Sequence, residues 1–170
     1  MKISIMGYSG SGKTYLSKLL EKELSVSVLH LDEVKFDKEW NPYDNEVVLH
    51  QVVEYLKKDD WIIDGVYDYL CIEERLCQSD LIILLLLPRI PCFYRAIMRK
   101  KEREAQGYKH DTNAWFIWFL LFGGRTKERR RLFSDIAEQY KDKVVVLKSK
   151  KDVDRFIENY RSIMKIKTKA

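Results

Sequence analysis

The chain has 170 residues, 46% of them hydrophobic and 34% charged, with a formal net charge of +5. That length fits one domain with a sizeable core, and that balance fits a soluble globular protein. The longest uncharged apolar runs, 81–87 and 114–122, fall far short of the roughly 20 residues that a membrane-spanning helix needs.

No signal peptide is visible, because Lys2 leads directly into an apolar stretch. Cys71, Cys77 and Cys92 are odd in number and lack metal-ligand spacing. They read as reduced core thiols of a cytoplasmic protein. The positive charge favours anionic ligands such as nucleotides, without separating a small phosphate ester from nucleic acid.

Residues 2–6 read as a buried strand. Gly7-Tyr8-Ser9-Gly10-Ser11-Gly12-Lys13-Thr14 follows, the pattern G-x-x-x-x-G-K-[ST] of a phosphate-binding P-loop. Residues 14–24 then read as a helix, with Leu16, Leu19, Leu20 and Leu24 at helical spacing. Each residue type in the loop has a physical reason. The glycines let backbone N–H groups close on phosphates, and the helix N-terminus adds its positive end. Lys13 supplies a mobile cation, and Thr14 offers a hydroxyl to Mg²⁺. The nucleotide-binding set is Gly7, Ser9, Gly10, Ser11, Gly12, Lys13, Thr14 and Tyr15, which implies ATP and Mg²⁺.

Further along, 26–31 reads as a second strand ending at Asp32-Glu33, and 34–43 as a loop bearing Phe36 and Trp40. Asp44 caps a helix running to about Lys58, with Val48, Val52, Tyr55 and Leu56 inward. Trp61-Ile62-Ile63 is a short strand followed at once by Asp64-Gly65, and a short helix spans about 69–77. Residues 80–87 read as a central parallel strand ended by Pro88 and Pro91. A helix over 90–104 carries Arg95, Arg99 and Arg103 on one face. The aromatic run 114–122, in the irregular stretch 107–124, reads as a helix packed on the domain or on a second copy, the latter giving a homodimer. A membrane-surface helix followed by Arg125 to Arg131 is the alternative, less favoured because the run is aromatic nearly all round, which suits burial better. A helix over about 125–140 turns Leu132, Phe133, Ile136 and Tyr140 inward. The last strand is 144–147, and Ser149-Lys150-Lys151-Asp152 forms a capping box that opens a final amphipathic helix.

Strands alternate with helices throughout. The expected fold is therefore α/β, with five parallel strands and helices on both faces. The two long connections leave room for an acceptor-binding arm at about 33–60 and a helical lid at about 95–125.

Asp32 and Asp64 both follow strands, at the sheet edge where α/β ligand sites form. In a P-loop enzyme a carboxylate there holds Mg²⁺ through water, or accepts the proton of the attacking hydroxyl. The competing reading of Asp64-Gly65 is an ordinary turn. Residues 81–87 carry no terminal acid of the kind a motor ATPase shows, so the carboxylate roles fall to Asp32 and Asp64. Arg95 and Arg99, with Arg125, are read as arginines closing over a triphosphate. The remaining basic residues are read as solvated helix faces. His30, His50 and His110 are scattered and receive no role.

Gly7 to Thr14, Leu31-Asp32 with Trp40 eight residues after Asp32, Trp61-Ile62-Ile63-Asp64-Gly65-Val66-Tyr67, Leu87-Pro88-Arg89, and then Arg95 and Arg99 form a series. The series resembles the FlaR-like DNA topology modulation proteins, which are adenylate-kinase-like P-loop proteins. The resemblance covers nearly the whole chain, to about Tyr160. It implies a nucleoside monophosphate kinase-like three-layer fold with strand order 2-3-1-4-5. It also implies a lid beginning at Arg95 and Arg99, and likens Asp32 to the acid that shikimate- and gluconate-kinase-like enzymes place near the acceptor hydroxyl. Asp64 is then set beside Thr14 as a Mg²⁺ ligand, through water.

One departure stands out. Classical adenylate kinases follow Asp-Gly with a Pro-Arg pair that grips the monophosphate, whereas Val66-Tyr67-Asp68 stands here. That speaks against a nucleoside monophosphate acceptor.

The leading reading is an ATP-dependent small-molecule kinase that uses Lys13, Asp32, Arg95 and Arg99. A nucleic-acid-associated regulatory NTPase is the less favoured alternative, drawing on a pI near 9.0 and the runs Arg99-Lys100-Lys101 and Arg129-Arg130-Arg131. A module that binds ATP without turnover is a third.

Overall fold

The structure is a computed structural model that describes residues 1–37, 39–105 and 114–167. Five strands build it: β1 (Lys2–Gly7), β2 (Val28–His30), β3 (Trp61–Asp64), β4 (Leu81–Leu85) and β5 (Val144–Leu147). All pair in parallel, in the order β2-β3-β1-β4-β5 expected from the sequence. The central strands are largely apolar, rich in Ile and Leu, and they are buried on both faces, as parallel strands flanked by helices must be.

Eight α-helices connect the strands: α1 (Lys13–Leu24), α2 (Leu31–Lys35), α3 (Asn45–Leu56), α4 (Ile72–Gln78), α5 (Arg89–Ala105), α6 (Ala114–Leu121), α7 (Lys127–Gln139) and α8 (Lys150–Lys167). Side-chain alternation along the strands sends Ile3, Ile5, Ile83 and Leu85 to one face of the sheet. There they meet Leu16 and Leu20 of α1, Cys92 of α5 and Tyr160 of α8. Met6, Ile82 and Leu84 meet Leu76, Phe133 and Ile136 of α4 and α7 on the other face. A third cluster joins Leu31, Val48, Val52, Leu56 and Leu70 to Trp61 and Ile63. Each fully buried Leu, Ile or Phe contributes about 1.5–3 kcal/mol, so these seams hold the layers together.

The caps follow the sequence. Asp44 accepts from the Glu46 N–H at 2.8 Å at the start of α3. At α8, Asp152 accepts from Ser149 N–H at 2.8 Å, while the Ser149 hydroxyl accepts from Asp152 N–H at 3.2 Å, closing the capping box.

Four expectations are corrected. The second strand stops at His30, because buried Leu31 begins α2, and Asp32 and Glu33 sit in that helix's first turn, where its dipole favours acids. Asp32 therefore lies on a helix. The fourth strand ends at Leu85, and α5 begins at Arg89 with Pro91 inside its first turn, where the missing N–H costs nothing. The helix expected from Arg125 starts at Lys127, because Gly123–Arg125 is a 3₁₀ turn and the Thr126 hydroxyl accepts from Arg129 N–H as the cap. Finally, α6 is not buried all round. Leu120 is buried, yet Trp118 is 55% and Phe122 52% exposed, because an eight-residue helix packed on α5 and the 3₁₀ turn covers one side only. Among the described residues, no helix is long and apolar enough to cross a membrane.

Candidate nucleotide and acceptor site

The strand order reverses between β1 and its two neighbours, and the loop after β1 opens there, at the C-terminal edge of the sheet. Two glycines set its shape. Gly7 has φ +150° and lies so close to β4 that a β-carbon would stand 2.3 Å from the Leu85 carbonyl oxygen. Gly10 has φ +72°, and its β-carbon would stand 2.1 Å from the Cys92 carbonyl oxygen of α5. No side chain fits at either position. The Tyr8 N–H donates to Leu85 O at 3.3 Å, and the Lys13 ammonium reaches back to donate to Tyr8 O at 3.2 Å. The Ser11 hydroxyl is buried without a hydrogen-bond partner among the described residues. Tyr15 is exposed on α1.

Asp64 ends β3 and is only 5% exposed. Its Oδ2 accepts from the Thr14 hydroxyl at 3.2 Å and the Ser17 hydroxyl at 3.5 Å, and lies 3.1 Å from His30 Nδ1. Its Oδ1 is buried with no hydrogen-bond partner among the described residues. Parallel register brings His30 and Asp64 side by side. The hydrogen bond to Asp64 raises the His30 imidazole above its ordinary value, against the opposing effect of burial.

A buried carboxylate oxygen with an open bonding direction, beside a threonine hydroxyl at a helix N-terminus, is a hard-oxygen set that suits Mg²⁺. Among the described residues, no cluster of three His, Cys, Asp or Glu side chains forms a self-sufficient metal cage.

Asp32 stands exposed in the first turn of α2. The Tyr67 hydroxyl, on the loop that follows β3, donates to Asp32 Oδ1 at 2.6 Å. Burial, then the nearby Asp32 charge, pushes the Tyr67 phenol far above its ordinary range, so it stays protonated and donates. The Lys35 ammonium lies 4.6 Å from the Tyr69 ring centre, 5.7 Å from Tyr67 and 5.5 Å from Phe36, and Phe36 packs on Trp40.

Below this loop lies Arg75 of α4, 0% exposed. Its guanidinium donates to the carbonyls of Gly65 at 3.3 Å, Tyr67 at 2.9 Å and Cys71 at 3.4 Å, and it makes no ion pair among the described residues. Burial pushes it down to about 10. Arg129 of α7 donates to Val66 O at 3.3 Å from the other side.

Arg95 Nη1 lies beside the loop, 3.8 Å from where a β-carbon on Gly12 would stand, while Arg95 Nε donates to Pro91 O at 3.1 Å. Arg125 donates to Leu87 O at 2.8 Å and stacks 3.9 Å over the Tyr8 ring. Arg99 lies one turn beyond Arg95 on α5; the side chains of Arg99 and Arg103, and all of His110, fall outside the described residues.

The structure thus gathers the P-loop, Asp64, Arg95 and Arg125 at one place, and sets Asp32 with Tyr67 beyond β2 and β3 on the same sheet edge. Three participants were not read from the sequence. His30 was assigned no role, although as the last residue of a strand beside the one ending in Asp64 it could have been paired by register. Tyr67 enters the sequence reading as part of the Trp61–Tyr67 stretch and as a departure from an adenylate-kinase pattern, with no role of its own. Arg75, within Ile-Glu-Glu-Arg-Leu-Cys-Gln, looks like any solvated helix residue.

Comparison with solved structures adds to this. The chain is similar to a gluconokinase from Sinorhizobium meliloti 1021, with TM-score 0.51 and 12% identity over 94% of this chain and 95% of that one. It is similar to a shikimate kinase from Bacteroides thetaiotaomicron, with TM-score 0.50 and 14% identity over 97% of this chain and 98% of that one. The fold is that of the P-loop kinases. No protein-family profile and no curated protein sequence matches the chain, so the likeness is one of architecture. In a P-loop kinase fold, the loop after β1 and the ends of β2 and β3 share one edge of the sheet, and Gly7–Thr14, Asp32 and Asp64 occupy that edge here.

Proposed function

We propose that this chain is an ATP- and Mg²⁺-dependent kinase that phosphorylates a hydroxyl of a small molecule. The observation that carries the reading is Asp64, a buried carboxylate with one oxygen on the P-loop Thr14 hydroxyl and the other unpartnered. A P-loop glycine pattern alone speaks only for phosphate binding. A carboxylate held against its threonine adds a place for the metal of a phosphoryl-transfer site.

ATP with Mg²⁺, when bound, supplies the phosphoryl group and neutralises part of its charge. Gly7, Ser9, Gly10, Ser11 and Gly12 form the backbone cradle, with Tyr15 at its rim. Lys13 turns from the Tyr8 carbonyl to the terminal phosphates. Thr14 and Asp64 hold Mg²⁺, Asp64 through water. Arg95, Arg99 and Arg125 neutralise charge on the transferring group from a lid at about 95–125. Asp32 accepts the proton of the acceptor hydroxyl, which enters beside the arm at about 33–60. All of this belongs to one domain, and the three free thiols suit a cytoplasmic protein.

The solved structures that resemble this chain are named for gluconate and shikimate, two hydroxyl-bearing acids, which supports a metabolite acceptor. ADP formation from ATP and Mg²⁺, screened with gluconate, shikimate and the nucleoside monophosphates, tests the reading. At least one alcohol is expected to accelerate ADP formation and to become phosphorylated. ATP consumption that no acceptor stimulates would overturn it.

The alternative implied by the FlaR-like resemblance, an NTPase acting on DNA, draws on charge alone. Two arginines of the basic stretch, Arg125 and Arg129, are turned inward onto the Leu87 and Val66 carbonyls and are poorly placed for a duplex. A homodimer through 114–122 is supported by the exposed Ile117, Trp118 and Phe122 and by nothing further.

A further inference from the structure

We infer that Tyr67 is a positioning residue for the Asp32 carboxylate, braced from beneath by the buried guanidinium of Arg75. The catalytic meaning of the inference rests on the kinase reading above; the pairing itself does not.

Asp32 is exposed and stands on the first turn of a five-residue helix. A carboxylate in that setting samples several rotamers, and proton transfer to it demands one. A hydrogen bond of 2.6 Å from a neutral phenol to a carboxylate is short and charge-assisted, and it holds Oδ1 in one place. Oδ2 then has no partner among the described residues and is left for an incoming hydroxyl.

The phenol can do this only if its own backbone is fixed. The loop from Gly65 to Cys71 has few backbone hydrogen bonds: Gly65 N–H donates to Ile5 O at 3.1 Å, Leu70 N–H to Tyr67 O at 3.3 Å, and Arg75 N–H to Cys71 O at 2.9 Å. The Arg75 side chain adds to them. Three carbonyls of that loop, at Gly65, Tyr67 and Cys71, converge on one guanidinium, and Arg129 adds the Val66 carbonyl. A buried arginine without a carboxylate is expensive to maintain, and what this one does is order a loop whose exposed product is the Tyr67–Asp32 contact. Gly65 permits the tight start: its φ is +142°, and a β-carbon there would meet Leu31 Cβ at 2.8 Å, one residue before Asp32. Loop and helix are thus in register on both sides of the pair.

Two measurements on the full chain decide the matter. In the first, tyrosines are labelled at the phenol carbon, and the Tyr67 resonance is identified by its absence in Tyr67→Phe. In the wild type that resonance is expected to stay unmoved through about pH 11, while in Asp32→Asn it titrates at lower pH, still above the ordinary phenol range near pH 10 because burial, the larger cause, remains. Circular dichroism over the same range confirms that the fold persists. A Tyr67 that titrates identically in both proteins overturns the pairing. In the second, Tyr67→Phe is assayed with whichever alcohol supports ADP formation. A fall of about tenfold or more in kcat is expected, with KM for ATP unchanged. An unchanged kcat, or a loss in kcat matched by an equal rise in KM for ATP, overturns the positioning role. If the wild type phosphorylates no alcohol at all, the kinase reading falls, and the titration still decides whether Tyr67 and Asp32 are paired.

Discussion

Among the described residues, the Lys13 ammonium donates to one backbone carbonyl, that of Tyr8, at 3.2 Å. A cation held so lightly is available to a ligand, and Lys13→Ala is expected to lower ATP affinity at least tenfold by calorimetry with an unchanged circular dichroism spectrum. Asp64→Asn and Asp32→Asn should behave differently from Lys13→Ala. Each removes an interaction needed in the transition state, so kcat falls about a hundredfold or more while ATP affinity changes little. Wild-type rates in both would return the two residues to capping and turn roles. His30 yields a pH prediction for the metal-free protein. Its raised value means that the folded chain holds the proton more tightly than the unfolded chain. The stability this contributes is fully present below about pH 6.5, the unfolded value, and is lost as pH rises through the folded value. Thermal melts of wild type and His30→Gln should therefore converge on going from mildly acidic to alkaline pH. Curves separated by the same interval at every pH would show that His30 acts by packing alone.

At the scale of elements, the patterns with a period were legible and the irregular pieces were not. Leu16 and Leu20 announced α1, Val48 and Val52 announced α3, and Ser149 with Asp152 announced the start of α8, because helical periodicity and caps are local physics. The end of β2 was misplaced by one residue because Leu31 suits a strand and a helix equally, and only its burial against Trp61 and Val48 decides between them. Arg75 was illegible because its role depends on carbonyls of a loop whose path no periodicity describes. Replacing it by Leu leaves the Gly65 carbonyl without its donor. The expected cost is about 2 kcal/mol, or a Tm lower by roughly 6 °C for a chain of this size. A melting temperature within a degree of wild type would show the loop to be held by other means. Gly10→Ala belongs here as well. At φ +72°, with a carbonyl 2.1 Å from the new methyl, the loop must move, and ATP binding should be lost although α1 and the sheet remain.

For the whole molecule, the fold class, the parallel sheet and its strand order were readable from alternating strands and helices and from the resemblance, while the acceptor side of the site was only half readable. Asp32 and Asp64 were found by their places after strands, whereas His30 and Tyr67, which touch them, required the register between strands and the path of a loop. The basic residues allow a test across the molecule. If Arg95 closes over nucleotide, amide exchange in peptides covering 89–105 and 114–125 should slow when an ATP analogue is added. Duplex DNA affinity should meanwhile be weak and little altered by Arg95→Ala. No slowing in those peptides, together with DNA binding that falls steeply with salt, would favour the nucleic-acid reading.

The two carbonyls that crowd the P-loop glycines have a mechanical consequence. Leu85 and Cys92 bracket the turn from β4 into α5, and both lie against the P-loop, as does Arg125 through the Tyr8 ring. The end of β4, the root of α5 and the floor of the loop are therefore packed directly on one another at Gly7 and Gly10. If α5 moves in the proposed lid, its pivot lies beyond Cys92, and Arg95 is the first arginine on the moving side.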